Sequence, residues 1–242
     1  MTSTSARAPE HSVARLAREL AERFDTLYAT LRDVAVGHVQ LLEPRFGGRE
    51  LGPFGEEELT RMRELCYGLL DAHPDVAGTG VVFALDRIAA RDQQIQWHVR
   101  GERGYEPYGF VNDADSAEFY DFLQLPWYAV PRATGQEVLA GPYLDFLGVD
   151  EYILTCSVPV RIGGRFAGTA AADLEVRTIE RRFLELVRGI DADVALTSRE
   201  GRIVCANSPR LLPGDRAPED PGMRSIELGT SVPTMRLVAR ER

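Results

Sequence analysis

The chain has 242 residues, 44% hydrophobic and 27% charged, which supplies a full core and excludes wholesale disorder. A formal net charge of −9 and a pI near 5.1 argue against direct nucleic-acid binding, whose affinity rests largely on neutralising phosphates. All 28 basic side chains are Arg, so Schiff-base and P-loop lysine chemistry is excluded.

The start, MTSTSARAPEHSVARLAREL, lacks the apolar core of a secretory signal, and no apolar run reaches the roughly 20 residues that span a bilayer. Cys66, Cys156 and Cys205 are odd in number and in no C-x-x-C spacing, so neither a disulfide framework nor a zinc site is suggested. These features predict a reduced, cytoplasmic protein with no membrane contact.

Residues 13–41 carry Val13, Leu16, Leu20, Phe24, Leu27, Leu31, Val34 and Leu41 in near-heptad steps, which predicts one long helix. Its stripe reads equally as packing on its own domain or as a homodimer seam. Residues 43–55, rich in Gly and Pro, read as a loop, and 56–72 as a helix whose acidic start suits the helix dipole. Strands are predicted over 78–85 and 95–99. In the latter, Ile95, Trp97 and Val99 alternate with Gln96 and His98; Trp97 is core or pocket wall, and His98 is expected on an exposed strand position.

Residues 116–123 suggest a short helix broken at Pro126, followed by a turn-rich PRATGQ stretch. Strands over 152–162 and 165–173 joined by Gly163-Gly164 read as a hairpin. A helix over 176–190, a hairpin of 194–197 with 202–205, a loop over 209–222 and a last strand over 234–239 complete an α+β domain around an antiparallel sheet. Its parts are residues 1–42, a tail and long helix belonging to the domain, and 43–242, the ligand-binding domain.

No G-x-S-x-G, H-E-x-x-H, P-loop or G-x-G-x-x-G motif occurs, so no catalytic residue, metal or cofactor is expected. Aromatic and acidic side chains instead concentrate between Phe119 and Asp173: Tyr120, Asp121, Trp127, Tyr128, Tyr143, Asp145 and Asp173. Aromatics wall a pocket and carboxylates attract a cation, a pairing that suits a small organic ligand. Asp173, where a strand passes into a helix, reads equally as a helix N-cap.

Over about residues 116–210, FYDFLQLPWYAVPRATGQEVLAGPYLDF followed by YILTCSVPVRIGGRFAGTAAADLEV resembles the ligand-binding core of a Cache domain, the PAS-like sensor domain of bacterial chemoreceptors and sensor kinases. The marks are Trp127-Tyr128, Gly141-Pro142-Tyr143, the Ser157-Val158-Pro159-Val160 strand and the returning Gly168 to Leu174 strand. The resemblance implies a pocket walled by Trp127, Tyr128 and Tyr143 in which Asp173 holds an ammonium group. Amino-acid-binding members place an Arg two residues before the Trp; this chain has Leu125, which speaks against a free α-amino acid, with Arg132 as a substitute. The expectation is a free-standing cytoplasmic sensor that binds an amine or other cation at Trp127, Tyr128, Tyr143, Asp145 and Asp173, with Tyr120, Trp97 and Arg132 nearby, and signals to a separate regulator. Two other readings compete: an interaction module working through the N-terminal helix, and an enzyme using Asp173 or His98 as a base.

Overall fold

The structure is a computed structural model that describes residues 7–110, 121–144, 152–232 and 235–242, with side chains from residue 12 onward. The chain forms two compact units, Leu27–Glu175 and a second that joins Met1–Thr26 to Val176–Arg242.

The long helix exists as α1 (Arg7–Phe46). Its stripe from Val13 to Val34 is buried throughout. The chain's own core therefore consumes the surface that a homodimer seam would have used. The helix also runs past Pro44 into the expected loop, because Leu42 and Phe46, both buried, make the extra turn worth more than the hydrogen bond that proline forfeits.

The unit Leu27–Glu175 holds α2 (Glu56–Ala72), β1 (Val76–Phe83), β2 (Ile95–Gly101), β3 (Gly104–Pro107), α3 (Pro126–Thr134), β4 (Val138–Leu144), β5 (Tyr152–Ile162) and β6 (Arg165–Glu175). The strands form one antiparallel sheet in the order β3-β2-β1-β6-β5-β4. Gly163 and Gly164 both have left-handed φ, 62° and 71°, as a two-residue type I′ hairpin turn requires. Helix α2 covers one face of β1 and β2, and α3 packs against β4, β5 and β6.

Two local expectations fail for identifiable reasons. Pro126 opens a helix instead of breaking one: it occupies the first turn of α3, where its missing N–H has no intrahelical partner to lose. The PRATGQ stretch is consequently helical through Thr134, and Gly135 ends it in a left-handed conformation at φ 69°. His98 is 6% exposed. Its face of β2 is covered by α2, and the Tyr67 ring meets it edge-on at 5.3 Å. The segment 111–120, which contains most of the helix expected over 116–123, lies outside the described residues.

The second unit carries α4 (Val176–Leu186), β7 (Ala192–Ser198), β8 (Ile203–Ala206), β9 (Arg224–Glu227) and β10 (Met235–Glu241), with sheet order β8-β7-β10-β9. Ala195, Ile203, Leu211 and Val238 form its core. At its end Arg242 hydrogen-bonds Asp193 at 2.9 Å, and this bond leads the effects that hold the Asp193 carboxyl below its usual range.

Candidate functional site

Pairing register places the site. On one face of the larger sheet, directly opposed residues form cross-strand rows, because paired residues share a face. One row reads Val99, Gly78, Asp173, Thr155 and Ala140, and the next reads Trp97, Gly80, Ala171 and Ser157. The middle of this face is thus built of Gly78, Gly80 and Ala171, a trough without bulky side chains. Trp97 lies across it. A Cβ on Gly80 would stand 2.8 Å from the Trp97 Cα and 2.9 Å from its Cε3, and a Cβ on Gly78 would stand 2.7 Å from its Nε1. The indole is therefore laid along β1 with its six-membered ring over Gly80 and its N–H over Gly78.

Above the trough, α3 and its preceding turn bring in Trp127, Tyr128 and Phe122. They form one apolar cluster with Val82, Trp97, Ala140 and Ala171. Between sheet and cluster lies a narrow cavity of about 10 Å³, lined by Val82, Ile95, Trp97, Phe110, Trp127, Tyr143 and Asp173. That volume is on the order of what one water molecule needs, so an organic ligand enters only if a wall moves. Phe110 and Tyr143, both half-buried, are the least confined of the aromatic walls.

Asp173 is 6% exposed and is the acidic side chain among the described residues of this lining. The Thr155 hydroxyl donates to its Oδ1 at 2.7 Å. The Tyr143 hydroxyl lies 2.7 Å from the same Thr155 oxygen. Because threonine has one hydroxyl proton and spends it on Asp173, Tyr143 is the donor to Thr155. The three groups form a directed relay that ends on the carboxylate. No basic side chain lines the cavity among the described residues.

The structure brings together four of the expected residues, Trp97, Trp127, Tyr143 and Asp173. The choice left open for Asp173 is decided by position: β6 continues to Glu175 and α4 begins at Val176, so Asp173 faces the cavity and caps no helix. Trp97 is both pocket wall and core. Tyr128 sits one layer behind the wall, buried between the Phe122 and Phe166 rings at 4.9 and 5.8 Å, and burial pushes its hydroxyl up to about 12. Arg132 does not reach the cavity; it lies on the surface 3.7 Å from Asp86. Tyr120 and Asp145 lie outside the described residues.

Sequence reading missed Val82, Ile95, Phe110 and Thr155. Ile95 was within reach, since alternation on β2 puts it beside Trp97. Thr155 needed the register of two hairpin strands, which the Gly163-Gly164 turn fixes.

No family model matches the chain. Over 85 residues it is 32% identical to the methyl-accepting chemotaxis protein PctB of Pseudomonas aeruginosa, a match covering 35% of this chain and 13% of that protein. Among solved structures, it superposes on the extracellular domain of a histidine kinase with a TM-score of 0.64 at 14% identity, covering 97% of this chain and 94% of that one. It superposes on the ligand-binding domain of the Pseudomonas aeruginosa amino-acid chemoreceptor PctC, in complex with GABA, with a TM-score of 0.59 at 18% identity, covering 93% and 96%. The chain thus has the α+β, PAS-like fold of Cache-type ligand-binding domains.

The same comparison corrects one expectation. A cytoplasmic location does not stand, because structures sharing this fold over nearly the whole chain are extracellular domains. Among the described residues no helix is long and apolar enough to cross a membrane.

Proposed function

We propose that this chain is a small-molecule-sensing domain whose unit Leu27–Glu175 binds an organic amine or other small cation and passes the signal to a separate partner. The observation that carries this reading is the Asp173 carboxylate, buried at the wall of a cavity whose other described lining residues are aromatic and aliphatic. A buried carboxylate beside aromatic rings favours a cation twice, through charge-assisted hydrogen bonding and through the ring faces. The fold agrees with it, as does the local likeness to a chemotaxis receptor. The ligand is one met outside the cytoplasm. Asp173, Tyr143 and Trp127 contact it, and Tyr128 supports Trp127 from behind. Nothing in this role requires turnover. A homodimer through α1 belongs to this reading only for the helix's outer face, where Val36 is 52% exposed; sedimentation measures it.

A thermal-shift screen with amines, amino acids, carboxylates and purines tests the proposal, since selective binding to the native state raises the melting temperature. One class of amines should raise it by several degrees, and Asp173→Asn should erase that shift while the unliganded protein keeps its melting temperature within a few degrees. Shifts from carboxylates alone, or an unchanged amine response in Asp173→Asn, would sink it. The narrowness of the cavity favours one competing reading, an interaction module with a filled pocket, for which no compound in the screen shifts the protein.

A further inference from the structure

Trp97 and Trp127 are 4% and 3% exposed, both line the cavity, and neither indole Nε1 has a hydrogen-bond partner among the described residues. A buried N–H without an acceptor is disfavoured, and most buried tryptophans find one. Two such donors on side chains that line one small chamber call for an acceptor, and no described residue supplies one. The position of the first is defined closely. The Trp97 Nε1 stands 2.7 Å from the place a Gly78 Cβ would take, and Gly78 is the register partner of Asp173 on the next strand. Directly opposed Cβ positions are about 5 Å apart. The Trp97 N–H therefore occupies the side-chain position beside Asp173, and glycine at residue 78 is what makes room for it.

We infer that Trp97 is a specificity-determining residue of this site, and that the ligand is an ammonium ion carrying a neutral hydrogen-bond acceptor, a hydroxyl or an amide carbonyl, on a nearby carbon. This rests on the amine reading above and sharpens it. The ammonium group meets Asp173 while the acceptor takes the Trp97 N–H. A carboxylate in the acceptor's place is disfavoured: it would be buried beside Asp173 with no basic side chain among the described lining residues, and like charges at short range oppose each other. The pocket thus separates amino alcohols and amino amides from simple amines on one side and from zwitterionic amino acids on the other.

The test is calorimetric titration of the full chain with ethylamine, 2-aminoethanol, glycinamide and glycine. 2-Aminoethanol and glycinamide should bind about tenfold more tightly than ethylamine, and glycine more weakly than glycinamide. Trp97→Phe keeps an aromatic ring and removes the N–H; it should bring the ratio of 2-aminoethanol affinity to ethylamine affinity close to one. A second measurement needs no change at residue 97. The chain has two tryptophans, so a ¹H–¹⁵N spectrum shows two indole signals, assigned with Trp127→Phe, and the Trp97 signal should move downfield with 2-aminoethanol but not with ethylamine. Equal affinities for the two probes, or an advantage that survives Trp97→Phe, overturns the inference and leaves the amine site standing. If none of the four probes binds, the amine reading fails and the inference with it.

Discussion

At the scale of the residue, burial overrides what side-chain identity suggests. The odd, unpaired cysteines pointed to a reducing compartment, yet Cys66, Cys156 and Cys205 are all fully buried. Burial pushes the Cys66 and Cys156 thiols up to about 12, so the reactive thiolate is suppressed and an unpaired thiol does not report on compartment. Histidine follows the same physics with opposite sign. His38, fully buried in α1, donates from Nδ1 to the Val34 carbonyl at 2.8 Å, and desolvation lowers its pKa to about 4. His98, pressed against Tyr67, is lowered to about 4 for the same leading reason. A histidine whose folded pKa lies below its unfolded value of about 6.5 leaves stability intact above that value. Stability falls as pH drops from about 6.5 towards 4, because the unfolded chain binds a proton that the folded one refuses. Stability should therefore be flat from pH 8 to 7 and decline below about 6.5, with His38 alone accounting for roughly 3 kcal/mol by pH 4. Urea denaturation across this range, compared with His38→Gln, should show the acid limb shallower in the variant; parallel limbs would refute the assignment.

At the scale of the element, periodicity was read correctly where one physical preference acts alone. The stripe of α1, the acidic start of α2 and the Gly163-Gly164 hairpin each follow from a local rule. Errors fell where a local rule depends on position: Pro126 breaks a helix in its interior and starts one at its first turn, and the sequence does not say which turn it occupies. β4 was hidden because its bulge between Ala140 and Tyr143 interrupts the alternation that reveals a strand. The candidate site was half legible. Trp127, Tyr143 and Asp173 stood out by type and order, whereas the trough of Gly78, Gly80 and Ala171 exists only once three strands are in register. That trough has its own consequence for stability. A Cβ at Gly80 would collide with the Gln96 carbonyl and stand 2.8 Å from the Trp97 Cα, backbone atoms that cannot step aside without opening the β1–β2 pairing. Gly80→Ala should cost about 1–3 kcal/mol and lower the melting temperature by roughly 3–10 °C. An unchanged melting temperature would mean that β2 does not lie where the register puts it.

At the scale of the whole molecule, the cytoplasmic location expected from the start of the sequence and the cysteine count does not stand: an unpaired cysteine is not tied to compartment once its thiol is buried, and structures sharing the fold are extracellular domains. The division of the chain into Leu27–Glu175 and Met1–Thr26 with Val176–Arg242 also bears on how a signal leaves the site. Every described residue lining the cavity belongs to the first unit. Asp173 lies two residues before Glu175, where the chain passes from that unit into α4. A ligand that binds only the folded state stabilises by RT ln(1 + [L]/Kd), about 2.7 kcal/mol at a hundredfold excess over Kd. If the units open independently, the whole of that gain belongs to the one holding the site. Hydrogen exchange at saturating 2-aminoethanol should then slow the most protected amides of β1, β2, β5 and β6 by about a hundredfold and leave those of β7 and β10 within about threefold of their unliganded rates. Equal slowing in both sheets would show that the two units unfold as one cooperative block, in which case occupancy at Asp173 is felt as a change of stability as far as Arg242.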